Sequence, residues 1–269
     1  MNTYLFAAVA VIAVSSAANA MTYIHEFEHP RMVVHYHPTT AQFGLLELRA
    51  ALGQGVSAVE LDIHLRASDN QVVCNHDSAT PESPTLAQAL DLVTRRKTAD
   101  CTINGDGKQF FVVLEPKESS PRLFDAIADV LRDCEHHLST AVGQKDGPRR
   151  LTVVITGAYP DKFYANFRPD VVNRLCVVER HDYAGEISDL SKSGRTFNWV
   201  SIRHSKTEGK DASIVQTLQS GTDPSCPGRF NVRIWDCHRD LAIGLAAGAD
   251  SLNCDIGEIR ILQGMLVGS

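Results

Sequence analysis

The chain has 269 residues, 43% hydrophobic and 22% charged, enough to bury the core of one large domain or two small ones. Its net charge of −6, with no basic stripe, argues against a nucleic-acid partner. The short basic runs Arg95-Arg96-Lys97 and Arg149-Arg150 do not alter this and read as solvated helix ends or loops.

Residues 1–20, MNTYLFAAVAVIAVSSAANA, carry no charged side chain. An apolar stretch from Tyr4 to Val14 runs into small residues ending in Ala18-Asn19-Ala20, the pattern of a secretory signal peptide. It is too short to span a bilayer, and no later stretch is long enough. The expected mature protein, residues 21–269, is exported and forms one domain.

Eight short strand-like runs follow: Met32–His37, Ala58–His64, Phe110–Glu115, Leu151–Thr156, Leu175–Glu179, Asn198–Ile202, Asn231–Trp235 and Ser251–Cys254. Several are continuously apolar, as parallel strands covered on both faces should be. Val72–Asn75 reads as an extra short strand. Helical patterns fall at Gln42–Leu52, Thr85–Val93, Pro121–Leu138, Leu241–Ala247 and Ile256–Leu266, with weaker ones at Tyr183–Arg195 and Lys206–Gly221. No repeat or low-complexity linker divides the chain. Strands alternating with helices predict an α/β fold of the (β/α)8 TIM-barrel type. The turn Asn104–Gly107 lacks the alternating ligands of a calcium loop.

The chain has seven cysteines. Export permits disulfides, and the odd count leaves at least one thiol unpaired in a monomer. Cys101, Cys134, Cys226 and Cys237 read as bridge candidates. Cys74, Cys176 and Cys254 lie in apolar runs and read as buried small hydrophobes. No C-x-x-C pair is present, which argues against a structural zinc site.

The chemistry concentrates in Gly55-Val-Ser-Ala-Val-Glu-Leu-Asp-Ile-His64. Glu60 and Asp62 sit two apart in a strand, so their side chains share a face. Two buried carboxylates side by side are costly unless they share a cation, and a hard divalent ion, Mg²⁺ or Ca²⁺, suits oxygen ligands. Glu115, at the end of the next barrel strand, would be a third ligand. Lys117, two residues on, points the same way and can meet a phosphate. His76, in Asn75-His76-Asp77, supplies an imidazole for acid–base work. His35 and His37 both end the first strand, and the residues alone leave open which is catalytic. Trp235 ends the seventh strand and could stack on a substrate. His204 and His238 lie in loops without evident partners.

These residues resemble the phospholipase C-like phosphodiesterase superfamily, which includes glycerophosphodiester phosphodiesterases and sphingomyelinases D. The resemblance rests on Gly-x-x-x-x-Glu-x-Asp at 55–62, Asn75-His76-Asp77, Glu115-Pro-Lys117, Ile234-Trp235 and Gly248-Ala-Asp-Ser-Leu-Asn-Cys-Asp255. Leu151-Thr-Val-Val-Ile-Thr-Gly157 and Asn253-x-Asp255 look most like a subgroup named for altered inheritance of mitochondria. The resemblance implies one divalent cation on Glu60, Asp62 and Glu115, with two histidines as acid and base and a lysine assisting. That carries over to His76 and Lys117, and spacing favours His37 for the other histidine. The chain has His37-Pro38-Thr39 where glycerophosphodiesterases have His-Arg-Gly, so their substrate preference does not carry over. The expected activity is cleavage of a phospholipid or glycerophosphodiester-type phosphodiester, by hydrolysis or with a cyclic phosphate product. Peripheral contact with a membrane is a further expectation. The alternatives are a barrel that binds lipid or polyanion with little turnover, and a metal-dependent lyase on the same fold.

Overall fold

A computed structural model of the protein describes residues 33–38, 43–97, 103–105, 109–139, 151–157, 171, 175–180, 199–220, 230–237 and 240–267. The expected signal peptide, the helix expected at Tyr183–Arg195, and His238, Cys101 and Cys226 lie outside the described residues.

Nine strands are described: β1 Val33–Tyr36, β2 Ala58–Arg66, β3 Gln71–Cys74, β4 Phe110–Pro116, β5 Leu151–Ile155, β6 Val177–Arg180, β7 Trp199–Arg203, β8 Asn231–Trp235 and β9 Ser251–Cys254. The helices among the described residues are α1 Leu45–Gly53, α2 Leu86–Thr94, α3 Pro121–Asp133, α4 Asp211–Ser220, α5 Leu241–Ala246 and α6 Ile259–Val267. The sheet runs β1-β9-β8-β7-β6-β5-β4-β2-β3, and β1 also pairs with β2. All pairings are parallel except that of β3, which folds back on β2 as a hairpin. The architecture is therefore α/β, with eight parallel strands curled so that β1 meets both β2 and β9.

Alternation along each strand divides the core in two. Val59, Leu61 and Ile63 of β2 belong to the large apolar cluster that also holds Leu48 and Leu52 of α1 and Leu86 and Leu90 of α2. Their neighbours Ala58, Glu60 and Asp62 face the other way. Ala58 joins Phe111, Val113, Val154, Val177 and Trp199 in a second, smaller apolar cluster within the curl. Phe111 and Trp199 meet edge to face there, with ring centroids 4.9 Å apart. This inner plug leaves the next levels along the strands for polar groups.

Several helices begin or end where local chemistry dictates. Thr85 and Gln88 form a reciprocal capping box that starts α2, and Pro121 opens α3. Three of the boundaries that differ from the sequence expectation have a local cause. Gly44 is extended and caps α1, so the helix starts at Leu45 rather than Gln42. A turn from Asp255 to Glu258, whose backbone N–H donates to the Asp255 carbonyl at 2.9 Å, delays α6 to Ile259. α3 stops at Asp133, and a 3₁₀ turn, Glu135–His137, redirects the chain so that Leu138 bridges to Leu151 of β5. Cys134 and Cys237, read above as bridge candidates, carry free thiols. Cys134 Sγ donates instead to the Val130 carbonyl at 3.1 Å. Among the described residues no helix is long and apolar enough to cross a membrane.

Candidate active site

The register of β2 and β4 assembles the site. Asp62 pairs with Glu115 in the ladder, and Glu60 lies one inward-facing step earlier on β2. His37 follows β1, its backbone N–H donating to the Cys254 carbonyl of β9 at 3.1 Å. The hairpin brings His76 over the same end of the sheet, because Asn75 N–H donates to the Asp62 carbonyl at 2.9 Å. Potential ligand atoms of His37, Glu60, Asp62 and Glu115 lie within 4.8 Å of one another.

Asp62 is the centre. Its Oδ2 stands 4.0 Å from His37 Nε2 and 4.0 Å from His76 Nε2. Two imidazoles thus approach one carboxylate oxygen. His76 Nδ1 meets Asp77 Oδ1 at 2.6 Å, which orients the ring so that Nε2 is left for the site. Lys117 Nζ lies 3.1 Å from Asp62 Oδ1 and 2.9 Å from Glu115 Oε2. His35 contributes its backbone to β1, paired with Ala58 and Asn253.

Beneath this layer is a buried network that the sequence reading missed. Arg233, in the middle of β8, bonds Glu60 Oε2 at 2.7 Å and Glu179 at 2.9 and 2.6 Å. It also reaches Thr156 Oγ1 at 3.0 Å and Asn253 Oδ1 at 3.3 Å. Thr156 donates to Glu179, and Asn253 Nδ2 donates to Glu60 Oε2 at 3.1 Å. Burial works against the Arg233 charge, but the Glu179 and Glu60 carboxylates outweigh it and hold the guanidinium above its ordinary range. Arg233 in turn supplies a positive neighbour for Glu60. Truncating it removes that counter-charge from two carboxylates with 3% and 0% exposure. Breaking a buried pair in this way costs roughly 3–5 kcal/mol, so Arg233→Met should lower unfolding free energy by that order in urea titrations.

Gly157 completes the positioning of Glu115. Its φ is +95°, and a Cβ there would meet Glu115 Cγ at 2.8 Å. Both the left-handed backbone and the close approach require glycine.

Asp62 has no such counter-charge beneath it. Burial pushes its carboxyl up to about 8, and the Glu60 and Glu115 charges add to the effect, with Lys117 opposing. Among the described residues neither Asp62 oxygen has a hydrogen-bond partner of good geometry. A buried carboxylate met by Lys117 alone, two further carboxylates and one imidazole within reach form a donor set that fits a hard divalent cation. Glu60, Asp62 and Glu115 would hold it, with His37 beside them.

The sign of the pH effect follows from the raised value. Without metal, folding takes up a proton at Asp62, so that contribution to stability is complete below the ordinary carboxylate range and is lost as pH rises through about 8. A cation must displace the same proton, so its binding strengthens over the same rise. The increase in melting temperature on adding saturating Ca²⁺ or Mg²⁺ should therefore be larger at about pH 9 than at about pH 6. A thermal-shift titration with a chelator control reads this directly.

Trp235 stands at the end of β8, two residues past Arg233 and half-buried. His204, read from sequence as lacking partners, has them: its Nδ1 lies 3.1 Å from Asp211 Oδ2, and its Nε2 4.0 Å from Asp240 Oδ2. Asp211 opens α4 seven residues on, while His204 lies in a separate 3₁₀ turn, so no helical spacing links the two in the sequence.

No family model matches the chain, and no curated protein matches it by sequence. By structure it is similar to a calcium-dependent phosphoinositol-specific phospholipase C from Pseudomonas sp. The TM-score is 0.57 and the identity 12%, covering 86% of this chain and 91% of that one. It is also similar to a glycerophosphodiester phosphodiesterase from Agrobacterium tumefaciens, with TM-score 0.57 and 12% identity, covering 85% of this chain and 98% of that one. A calcium-dependent phosphatidylinositol-specific phospholipase C from Streptomyces antibioticus gives TM-score 0.52 and 12% identity, covering 87% and 96%. At these identities the likeness is one of fold: the chain has the fold of the phospholipase C-like phosphodiesterases.

Proposed function

We propose that this chain is an exported, metal-dependent phosphodiesterase acting on a phospholipid or its headgroup diester. The observation that carries the reading is the approach of both His37 and His76 to Asp62, each Nε2 4.0 Å from Oδ2, beside a three-carboxylate donor set. The likeness in fold to phosphodiesterases supports it. The β1–β2 pairing supports a closed (β/α)8 barrel as the single domain that carries the site.

In this reading Glu60, Asp62 and Glu115 bind one cation, Mg²⁺ or Ca²⁺. The cation, when bound, neutralises charge on a non-bridging phosphate oxygen. Lys117, relieved of part of its attraction to Asp62 and Glu115, meets a second phosphate oxygen. One histidine removes the proton from the attacking hydroxyl or water, and the other protonates the departing alkoxide. The Asp77 contact keeps His76 Nε2 facing the reaction. Where the substrate carries a hydroxyl beside the phosphate, internal attack by that hydroxyl gives a cyclic phosphate.

A screen of glycerophosphodiesters, lysophospholipids, phosphatidylinositol and sphingomyelin, with Mg²⁺, Ca²⁺ and Mn²⁺ in turn and products identified by mass, tests this reading. Cleavage at a phosphodiester bond is expected, and the product mass separates hydrolysis from cyclisation. A protein that binds lipid vesicles yet cleaves none of these substrates with any cation would replace the reading with that of a binding barrel.

A further inference from the structure

The loop that carries His76 has no helix or strand of its own. It runs from Asn75, after β3, to Pro84, before the Thr85 cap of α2. The His76 side chain is 42% exposed, and Asp77, which meets its ring, is 61% exposed. A contact so open to water is weak, so it turns the ring without fixing the loop. The position of His76 Nε2, 4.0 Å from Asp62 Oδ2, therefore depends on how the loop backbone is held.

Two side chains hold it, one at each end. Asn75 is buried, and its backbone N–H donates to the Asp62 carbonyl. Its Oδ1 accepts the His76 backbone N–H at 2.9 Å. Its Nδ2 donates to the Ser78 carbonyl at 2.7 Å and to Ser83 Oγ at 3.4 Å. Ser83, also buried, accepts the Thr80 N–H on the same Oγ at 3.0 Å. One carboxamide thus closes the loop on itself and joins the backbone of His76 to that of Asp62. Arg66, the last residue of β2, takes the other end. Its Nη1 donates to the Pro81 and Ser83 carbonyls at 3.1 and 3.2 Å, and to that of Thr80 at 3.4 Å. Its Nε and Nη2 are held by Asp69 at 3.0 and 2.8 Å. Asp69 sets the planar fork so that Nη1 aims at the loop, an arrangement that a single ammonium cannot reproduce. Both ends of the loop are therefore tied to the strand that carries Glu60 and Asp62.

Resting on the phosphodiesterase reading, we propose that Asn75 and Arg66 are positioning residues that act on the reaction through His76. Neither touches the substrate in this role. Rates are sensitive to such placement, since a shift of about 1 Å can cost about 10²-fold. A general contribution to folding would act whether or not an imidazole stands at position 76. A positioning role disappears with the imidazole.

Asn75→Ala, Arg66→Met and Arg66→Lys are compared with wild type on a diester that it cleaves, each alone and combined with His76→Ala. Alone, Asn75→Ala and Arg66→Met should lower kcat at least about tenfold and change KM by less than about threefold. Arg66→Lys should recover part of the loss. In the His76→Ala background the same substitutions should cost less than about twofold, because the group they place is gone. Exchange of the His76 backbone amide, followed by NMR, should be at least about fivefold faster in Asn75→Ala and Arg66→Met than in wild type. Wild-type kcat in either folded variant overturns the proposal, as does an equal loss with and without His76. If Asn75→Ala does not fold, Arg66→Met decides, because Arg66 lies at the rim of the hairpin, where its loss leaves the core intact. Unchanged exchange of the His76 amide overturns the positioning whatever the activity. If wild type cleaves no diester with any cation while exchange still quickens in the variants, the phosphodiesterase reading falls and the anchoring of His76 stands.

Discussion

Asp62→Asn is expected to bring metal-dependent phosphodiester cleavage to background while leaving a protein that, without metal, melts no lower than wild type. The two halves of this result have one cause. Asp62 is buried among Glu60 and Glu115, and that environment pushes its carboxyl up to about 8. In the metal-free protein near neutral pH the group is therefore largely protonated, and asparagine reproduces its shape and neutrality. Between the ordinary carboxylate range and about pH 8 the unfolded wild type ionises this group while the fold keeps it protonated, so the variant should melt increasingly higher than wild type over that rise, with the gap levelling off above it. With metal the balance inverts. The cation loses its most central ligand, and saturating Ca²⁺ or Mg²⁺ should no longer raise the melting temperature. Activity assays and thermal shifts on the same preparation check both halves. Undiminished turnover would remove Asp62 from the metal site, and a large loss of metal-free stability would make its role structural.

The second large effect concerns the histidines. His37→Ala and His76→Ala should each reduce kcat by about 10²–10⁴-fold, the range of a single general acid or base. The wild-type pH–rate profile should be bell-shaped, and each variant should lose a different limb. A packing role would not do this, because it would lower the rate evenly across pH. His35→Ala is the internal control and should cost less than either. An inactive His35→Ala beside a normal His37→Ala would exchange their roles and conflict with the 4.0 Å approach of His37 to Asp62. Wild-type rates in all three would end the acid–base mechanism.

Much of this site was legible in the sequence because it follows from short spacings within single strands. Glu60 and Asp62 must share a face, and Asn75-His76-Asp77 follows β2 through a tight hairpin. The strands themselves were legible from continuous apolar runs, since both faces of most of them are covered. Arg233 was not. One arginine in an apolar strand says nothing of its partners, and these lie 54 and 173 residues away at Glu179 and Glu60. Only the curl of the sheet brings them together. Gly157 was quoted as part of a motif, but its contact with Glu115 needs the β4–β5 register. Helix starts were misread by three residues where a glycine or a capping turn interrupts the pattern, as at Gly44 and Asp255, and by five at α4, which begins at Asp211 rather than Lys206.

The central claim is that Glu60, Asp62 and Glu115 hold a divalent cation required for phosphodiester cleavage. It is tested most directly by stripping the wild-type protein with a chelator and assaying a diester that it cleaves before and after Ca²⁺ or Mg²⁺ is restored, alongside Asp62→Asn. The account predicts no cleavage after stripping, full recovery on adding the cation back, and no recovery in the variant. Cleavage by the stripped wild type at its original rate would contradict it.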